Sequence, residues 1–183
     1  AALNDASTLD ATANYSVAIG RGAGTNANGL AGEFVIIGNF AGQKLSGTAV
    51  THIGWEAGQY ASGSNNTFVG SEAGKGGTTS APFSSGTNNV AIGYQALTAF
   101  TTANNNVAIG HQALDAITAG NDNVAVGYQA LSSIAVGEHS NVAIGKYAMR
   151  NMDEGTAGGD INGNIAIGYD AFKGGDLAGN DRQ

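Results

Sequence analysis

Three histidines, His52, His111 and His139, and an acidic run of Asp153, Glu154 and Asp160 are the side chains whose chemistry could exceed a structural role. A hydrolase needs a nucleophile, an imidazole and a carboxylate in one constellation, and a zinc protease needs two histidines one helical turn apart. Neither a Ser/His/Asp grouping, nor HExxH, nor a phosphate-cradling loop is present. The acidic run could offer oxygens to Ca²⁺, yet its spacing matches neither the EF-hand nor the GGxGxDxUx repeat, so a solvated loop is the plainer reading. A recurring position reads Arg21, Asn39, Trp55, Ser71, Tyr94, His111, Tyr128, Lys146 and Tyr169. An exposed aromatic stripe of this kind could stack on sugar rings, whereas aromatics at corners more often cover core edges. Packing is the expectation for Tyr94 and Tyr128, and Trp55 stays open as a binding residue. No catalytic residue, cofactor or resident metal is expected.

What must position these residues is a short unit written repeatedly. NNVAIGYQAL at Asn88 to Leu97 returns as NNVAIGHQAL, DNVAVGYQAL, SNVAIGKYAM and GNIAIGYDAF, with four degenerate copies upstream beginning at Tyr15. Nine glycines anchor the units: Gly20, Gly38, Gly54, Gly70, Gly93, Gly110, Gly127, Gly145 and Gly168, each preceded by Ile or Val and followed three residues later by Ala. They lie 18, 16, 16, 23, 17, 17, 18 and 23 residues apart, too short for helical-hairpin repeats and right for one turn of a β-solenoid. Composition agrees. Charged residues make up 11% of the chain and there are 30 glycines, a balance rich in turns and poor in helix. The single proline excludes collagen, and 42% hydrophobic content argues against disorder. With no cysteine, disulfides and thiolate-bound metal play no part. Seven basic against 14 acidic residues, net charge -7, disfavour a nucleic-acid binder. No apolar run approaches the length of a membrane span, and the N-terminus lacks the regions of a signal peptide, as any fragment would.

Within one unit, Val90 and Ile92 share one face of a strand and Ala91 points to the other. The glycine turns the corner through a positive φ or a close backbone approach. Tyr94-Gln95 crosses that corner and Ala96-Leu97 re-enters the core. The Asn before each strand (Asn66, Asn89, Asn106, Asn123, Asn141, Asn164) suits local backbone bonding or a stacked ladder. Glu56, Glu72, Gln95, Gln112 and Gln129 are expected to face water.

The second strand face reads Ala18, Ile36, His52, Phe68, Ala91, Ala108, Ala125, Ala143 and Ala166, so both faces look buried. The Val/Ile face is expected to serve the coil's own core and the small alanine face to pack on other copies, with a parallel homotrimer as the natural solution. On that geometry three His52 imidazoles would converge on the axis, as hydrogen-bonded filler or as holders of a water, an anion or a metal ion.

The unit type changes midway. The first four units end in Gly24, Gly42, Gly58 and Gly74, the last five in Leu97, Leu114, Leu131, Met149 and Phe172, so corner packing must change after Gly74. The organisation is a lead-in over 1–14, Gly-ending repeats over 15–74, an enlarged spacer over 75–88, Leu-type repeats over 89–172 and a spacer over 173–183 that leads toward a further repeat. The first enlarged spacer holds Pro82 and Phe83, and a second holds Asp153, Glu154 and Asp160. Both are expected to bulge from the shaft and are the candidate binding loops, beside the plainer reading of tolerated insertions.

SVAIGRGAGTNANG at Ser16 to Gly29 resembles the head repeats of trimeric autotransporter adhesins, and the NNVAIGYQAL units resemble the longer variant found in bacteriophage tail fibres and in bacterial surface proteins. The resemblance covers roughly Tyr15 to Phe172 and implies a left-handed parallel β-roll wound into a homotrimer. It also implies a non-enzymatic, extracellular or virion-borne fibre that attaches to a host surface glycan or protein receptor. The adhesin repeat is shorter than these units, which favours the viral fibre over the autotransporter head. An ice-binding solenoid is the alternative of another class; it would need a flat ladder of Thr, and Thr98, Thr101 and Thr118 do not recur at one repeat position.

Overall fold

The computed structural model describes residues 16–25, 33–80, 82–133, 137–151 and 161–172. Nine short strands carry the fold: β1 (Val17–Ile19), β2 (Phe34–Ile37), β3 (Val50–Ile53), β4 (Thr67–Val69), β5 (Val90–Ile92), β6 (Val107–Ile109), β7 (Val124–Val126), β8 (Val142–Ile144) and β9 (Ile165–Ile167). They stack in chain order as one parallel sheet, and every repeat falls in register, Val90↔Val107 and Ala91↔Ala108 for example. The protein is an all-β parallel solenoid, with no helix among the described residues.

The backbone polar groups of each coil are satisfied by its neighbours. Gly110 N–H donates to Ile92 O at 2.8 Å, Gln112 N–H to Tyr94 O at 2.9 Å, and Leu97 N–H to Ala113 O at 2.9 Å. Bonds within a coil are confined to tight corners, where Ala96 N–H donates to Gly93 O at 3.4 Å and Gln95 takes φ 54°. That is the pattern of a type II turn with a non-glycine residue in its left-handed position. The corner glycines bear out the expectation placed on them. Gly110 has φ 132°, and a Cβ on it would lie 2.4 Å from Gly127 O, so stacked corners exclude side chains twice over.

The core lies on the opposite side of the strands from the one expected. Ala91, Ala108, Ala125 and Ala143 are fully buried inside their own chain, as are Ile36, His52 and Phe68. The Val/Ile face is the uncovered one. Small side chains suffice at the inward position because the corner supplies the bulk, with Leu97, Leu114, Leu131 and Met149 fully buried beside the alanines. In the earlier coils the trade is reversed. A Cβ on Gly58 would lie 2.3 Å from the His52 ring, and one on Gly74 would lie 2.5 Å from the Phe68 ring. The glycine endings after β2, β3 and β4 make room for large inward strand residues, whereas β1 pairs a small Ala18 with Gly24, and the packing changes after Gly74.

The asparagines form a continuous buried ladder. Asn106 Oδ1 accepts from Asn123 N–H (3.0 Å) and Asn123 Nδ2 (3.1 Å), while Asn106 Nδ2 donates to Asn89 Oδ1 (3.2 Å) and Gly120 O (2.9 Å). The same links join Asn66 to Asn89, Asn123 to Asn141 and Asn141 to Asn164. In β2 and β3 this position is held by the buried apolar Phe34 and Val50, so the ladder begins at Asn66. A second ladder runs with opposite polarity. Thr87 N–H donates to Asn104 Oδ1 (2.8 Å), Asn104 N–H to Asn121 Oδ1 (2.8 Å), Asn121 N–H to His139 Nδ1 (3.0 Å) and His139 N–H to Asn162 Oδ1 (2.6 Å).

Candidate functional site

The feature most in need of a partner is the outward face of the sheet. One column reads Val17, Val35, Thr51, Thr67, Val90, Val107, Val124, Val142 and Ile165, the other Ile19, Ile37, Ile53, Val69, Ile92, Ile109, Val126, Ile144 and Ile167. All 18 are β-branched and uncharged. Ile19 is 51% exposed and Ile92, Ile109 and Ile144 are 36–39% exposed even in mid-stack. At about 4.8 Å per strand and about 3.3 Å per residue the face is roughly 40 Å long and 10 Å wide. A contiguous apolar surface of several hundred Å² on a small protein marks an interaction site. It also lacks the charged residues that blunt a free sheet.

Along one border of this face runs the stripe that follows the corner glycines. Tyr94 and His111 have ring centroids 5.1 Å apart, and His111 and Tyr128 are stacked at 5.0 Å. Tyr128 then meets Tyr147 edge-on at 5.4 Å, and the Lys146 ammonium lies 4.9–5.9 Å from the rings of Tyr147, Tyr128 and Tyr169. The packing expected of Tyr94 and Tyr128 is with one another through His111 rather than over the core. Both stay about 40% exposed. Trp55 is 46% exposed between Asn39 and Ser71 in the same stripe, with the Lys75 ammonium 5.9 Å from its ring.

Beneath this stripe, the residues expected to face water are half-buried and bonded. Gln129 donates to Gln112 (2.8 Å), Gln112 to Gln95 (3.0 Å) and Gln95 to the Glu72 carboxylate (3.2 Å). Lys75 pairs with Glu56 at 2.5 Å and lies 3.8 Å from Glu72. Burial pulls the Lys75 ammonium down, but the bond and charge of Glu56, with the charges of Glu72 and Tyr60, hold its pKa above the ordinary value. Each of these residues stands two positions after a corner glycine, so the chain of amides closes whether the coil between is 17 or 23 residues long.

Of the first enlarged spacer, Gly76, Ser84 and Gly86 are buried and Ser84 bridges to Ala61, so the insertion stays partly woven into the stack. Thr79, Ser80 and Pro82 are exposed. Phe83 folds back, stacked 6.3 Å from Tyr60 and 5.8 Å from the Lys44 ammonium. Trp55 and Phe83 therefore belong to separate clusters. Asp153, Glu154 and Asp160 lie outside the described residues.

His52 does not reach any axis between chains. It is fully buried in its own core, stacked 4.9 Å from Phe68, and neither ring nitrogen has a hydrogen-bond partner. Burial alone lowers its pKa to about 3. Among the described residues no three His, Asp or Glu side chains gather closely enough to hold a metal ion, and no helix is long and apolar enough to cross a membrane. The chain matches no protein-family model, no curated protein and no solved structure.

Proposed function

We propose that this chain is a structural and adhesive fibre segment, a left-handed β-roll that assembles as a parallel homotrimer through its Val/Ile face. The observation that carries the reading is the uncovered two-column β-branched surface. A surface that repeats one apolar pair per coil is matched best by another stack with the same period, and a further copy of the chain is that stack. Such an assembly removes the free face that would otherwise aggregate. It leaves the polar outer side, the aromatic stripe and the spacer tip to meet a host surface glycan or protein receptor. The length of the coils, 16 to 23 residues between corner glycines, favours a phage tail fibre over an autotransporter head.

The test is the oligomeric state. Sedimentation and native mass measurement of the parent should give three chains per particle, and negative-stain images should give short rods. Ile109→Lys places one charge per chain in the middle of the face and should yield folded monomers with an unchanged far-UV spectrum. A parent that sediments as a monomer at micromolar concentration, with ice-shaping activity, would overturn the proposal in favour of an ice-binding solenoid.

A further inference from the structure

We infer that Thr51 and Thr67 set the axial register in which copies of this chain pair, an inference that rests on the assembly proposed above. A sheet face built from repeats of one strand has an inherent ambiguity. Sliding one copy past another by a single coil replaces Val and Ile by Val and Ile, so the apolar contacts alone barely distinguish the correct register from its neighbours.

Thr51 and Thr67 break that degeneracy. They are direct register partners on β3 and β4, side by side in the first column, and are the only two of its nine positions that are not aliphatic. Thr is nearly the shape of Val, so the pleat is undisturbed and only a hydroxyl is added, which is what makes the exchange costly in an apolar contact. Both side chains are half-buried on the outward face. Several half-buried hydroxyls elsewhere have local partners: Thr101 donates to Thr118 O at 2.8 Å and Ser62 to Ser84 O at 3.1 Å. Among the described residues, the Thr51 and Thr67 hydroxyls, on the outward face, have no hydrogen-bond partner, while their backbone N–H groups donate to Asn66 O and Asn89 O. When copies pair in register, the two Thr levels meet their counterparts and the hydroxyls bond one another. A slip of one coil leaves one level facing aliphatic carbon, and a slip of two leaves both. A polar residue within an apolar seam fixes partner choice in coiled coils by the same logic.

The test is self-sorting. A shifted chain carries Thr51→Val, Thr67→Val, Val107→Thr and Val124→Thr, which moves the polar pair three coils along; an unmarked chain carries only Thr51→Val and Thr67→Val. Each is given a distinct mass tag, unfolded with the parent, refolded together and weighed by native mass spectrometry. Parent and shifted chains should separate, with mixed particles about tenfold below their statistical share. The unmarked chain, whose conservative replacements keep the fold, should also be depleted in mixtures with the parent and should populate slipped, longer particles on its own. Statistical mixing of the parent with either variant would overturn the inference while leaving the assembly intact. A monomeric parent would overturn the assembly itself.

Discussion

Gly110 is held by two independent constraints, a φ of 132° and a neighbouring backbone oxygen 2.4 Å from where a Cβ would stand. Gly110→Val, or even Gly110→Ala, should therefore cost about 3 kcal/mol or more in unfolding free energy, since neither strain nor stacked backbone can relax. Equal denaturant midpoints for variant and parent would contradict this. Asn106→Ala should cost about 2–4 kcal/mol, because it strips partners from the buried Asn123 N–H and Gly120 O together. Asp115 supplies a prediction of opposite sign. Its carboxylate has a buried Oδ1 without a hydrogen-bond partner, and burial raises its pKa to about 6. A carboxylate raised above its unfolded value favours the fold below the unfolded pKa and loses that contribution as pH rises through about 6. Asp115→Asn should thus raise the melting temperature at pH 7 and leave it unchanged near pH 3.5, and a gain of equal size at both values would refute the account.

At the scale of the coil, the inward strand residue and the residue six positions later divide one space. The pairs Ile36/Gly42, His52/Gly58 and Phe68/Gly74 place bulk on the strand, whereas Ala91/Leu97, Ala108/Leu114 and Ala125/Leu131 place it at the corner. Ala108→Phe should overpack its coil and Leu114→Gly should leave a cavity, each destabilising. The double variant should recover much of the loss, giving a coupling of about 1–3 kcal/mol in a double-mutant cycle. Additive losses would show that the two positions do not share volume. This trade also marks what was legible beforehand. The repeats, the corner glycines, the strands and the asparagine ladder could be read from the chain, because each repeats at a fixed place and has one physical cause. The inside and outside of the strand could not be told apart by apolarity, since both faces are apolar. Small size suggests close approach between chains, but Leu97 and Leu114 fill the space above the alanines. The reciprocal sizes at strand and corner were the signal that would have corrected the assignment. The glutamine chain is not legible in one unit, because side-chain bonds between coils depend on a stacking distance that one unit does not display.

Among the described residues, the apolar interior divides into two clusters, one from Ala23 to Val50 and one from Ala57 to Ala166, with the His52 imidazole between them. Because its folded pKa, about 3, lies below the ordinary 6.5, stability should be greatest above pH 6.5 and fall as pH drops toward 3, by up to about 1.4 kcal/mol per unit. The first coils should then melt ahead of the rest, so that fluorescence of the single tryptophan, Trp55, changes before the far-UV signal at pH 4.5. His52→Leu should flatten the pH profile and bring the two transitions together; a parent whose midpoint is constant from pH 7 to 4 would refute this role. The direction of the backbone bonds has one more consequence. Outside the corner turns they run between coils, parallel to the axis, so tension applied along a single stack loads them one layer at a time rather than in shear. The stack should yield by peeling from an end, in a sawtooth of low and nearly equal forces. The steps between peaks should follow the glycine spacings, about 55 Å of released length for a coil of 17 residues and about 75 Å for one of 23, which makes each enlarged spacer an identifiable long step in a pulling trace.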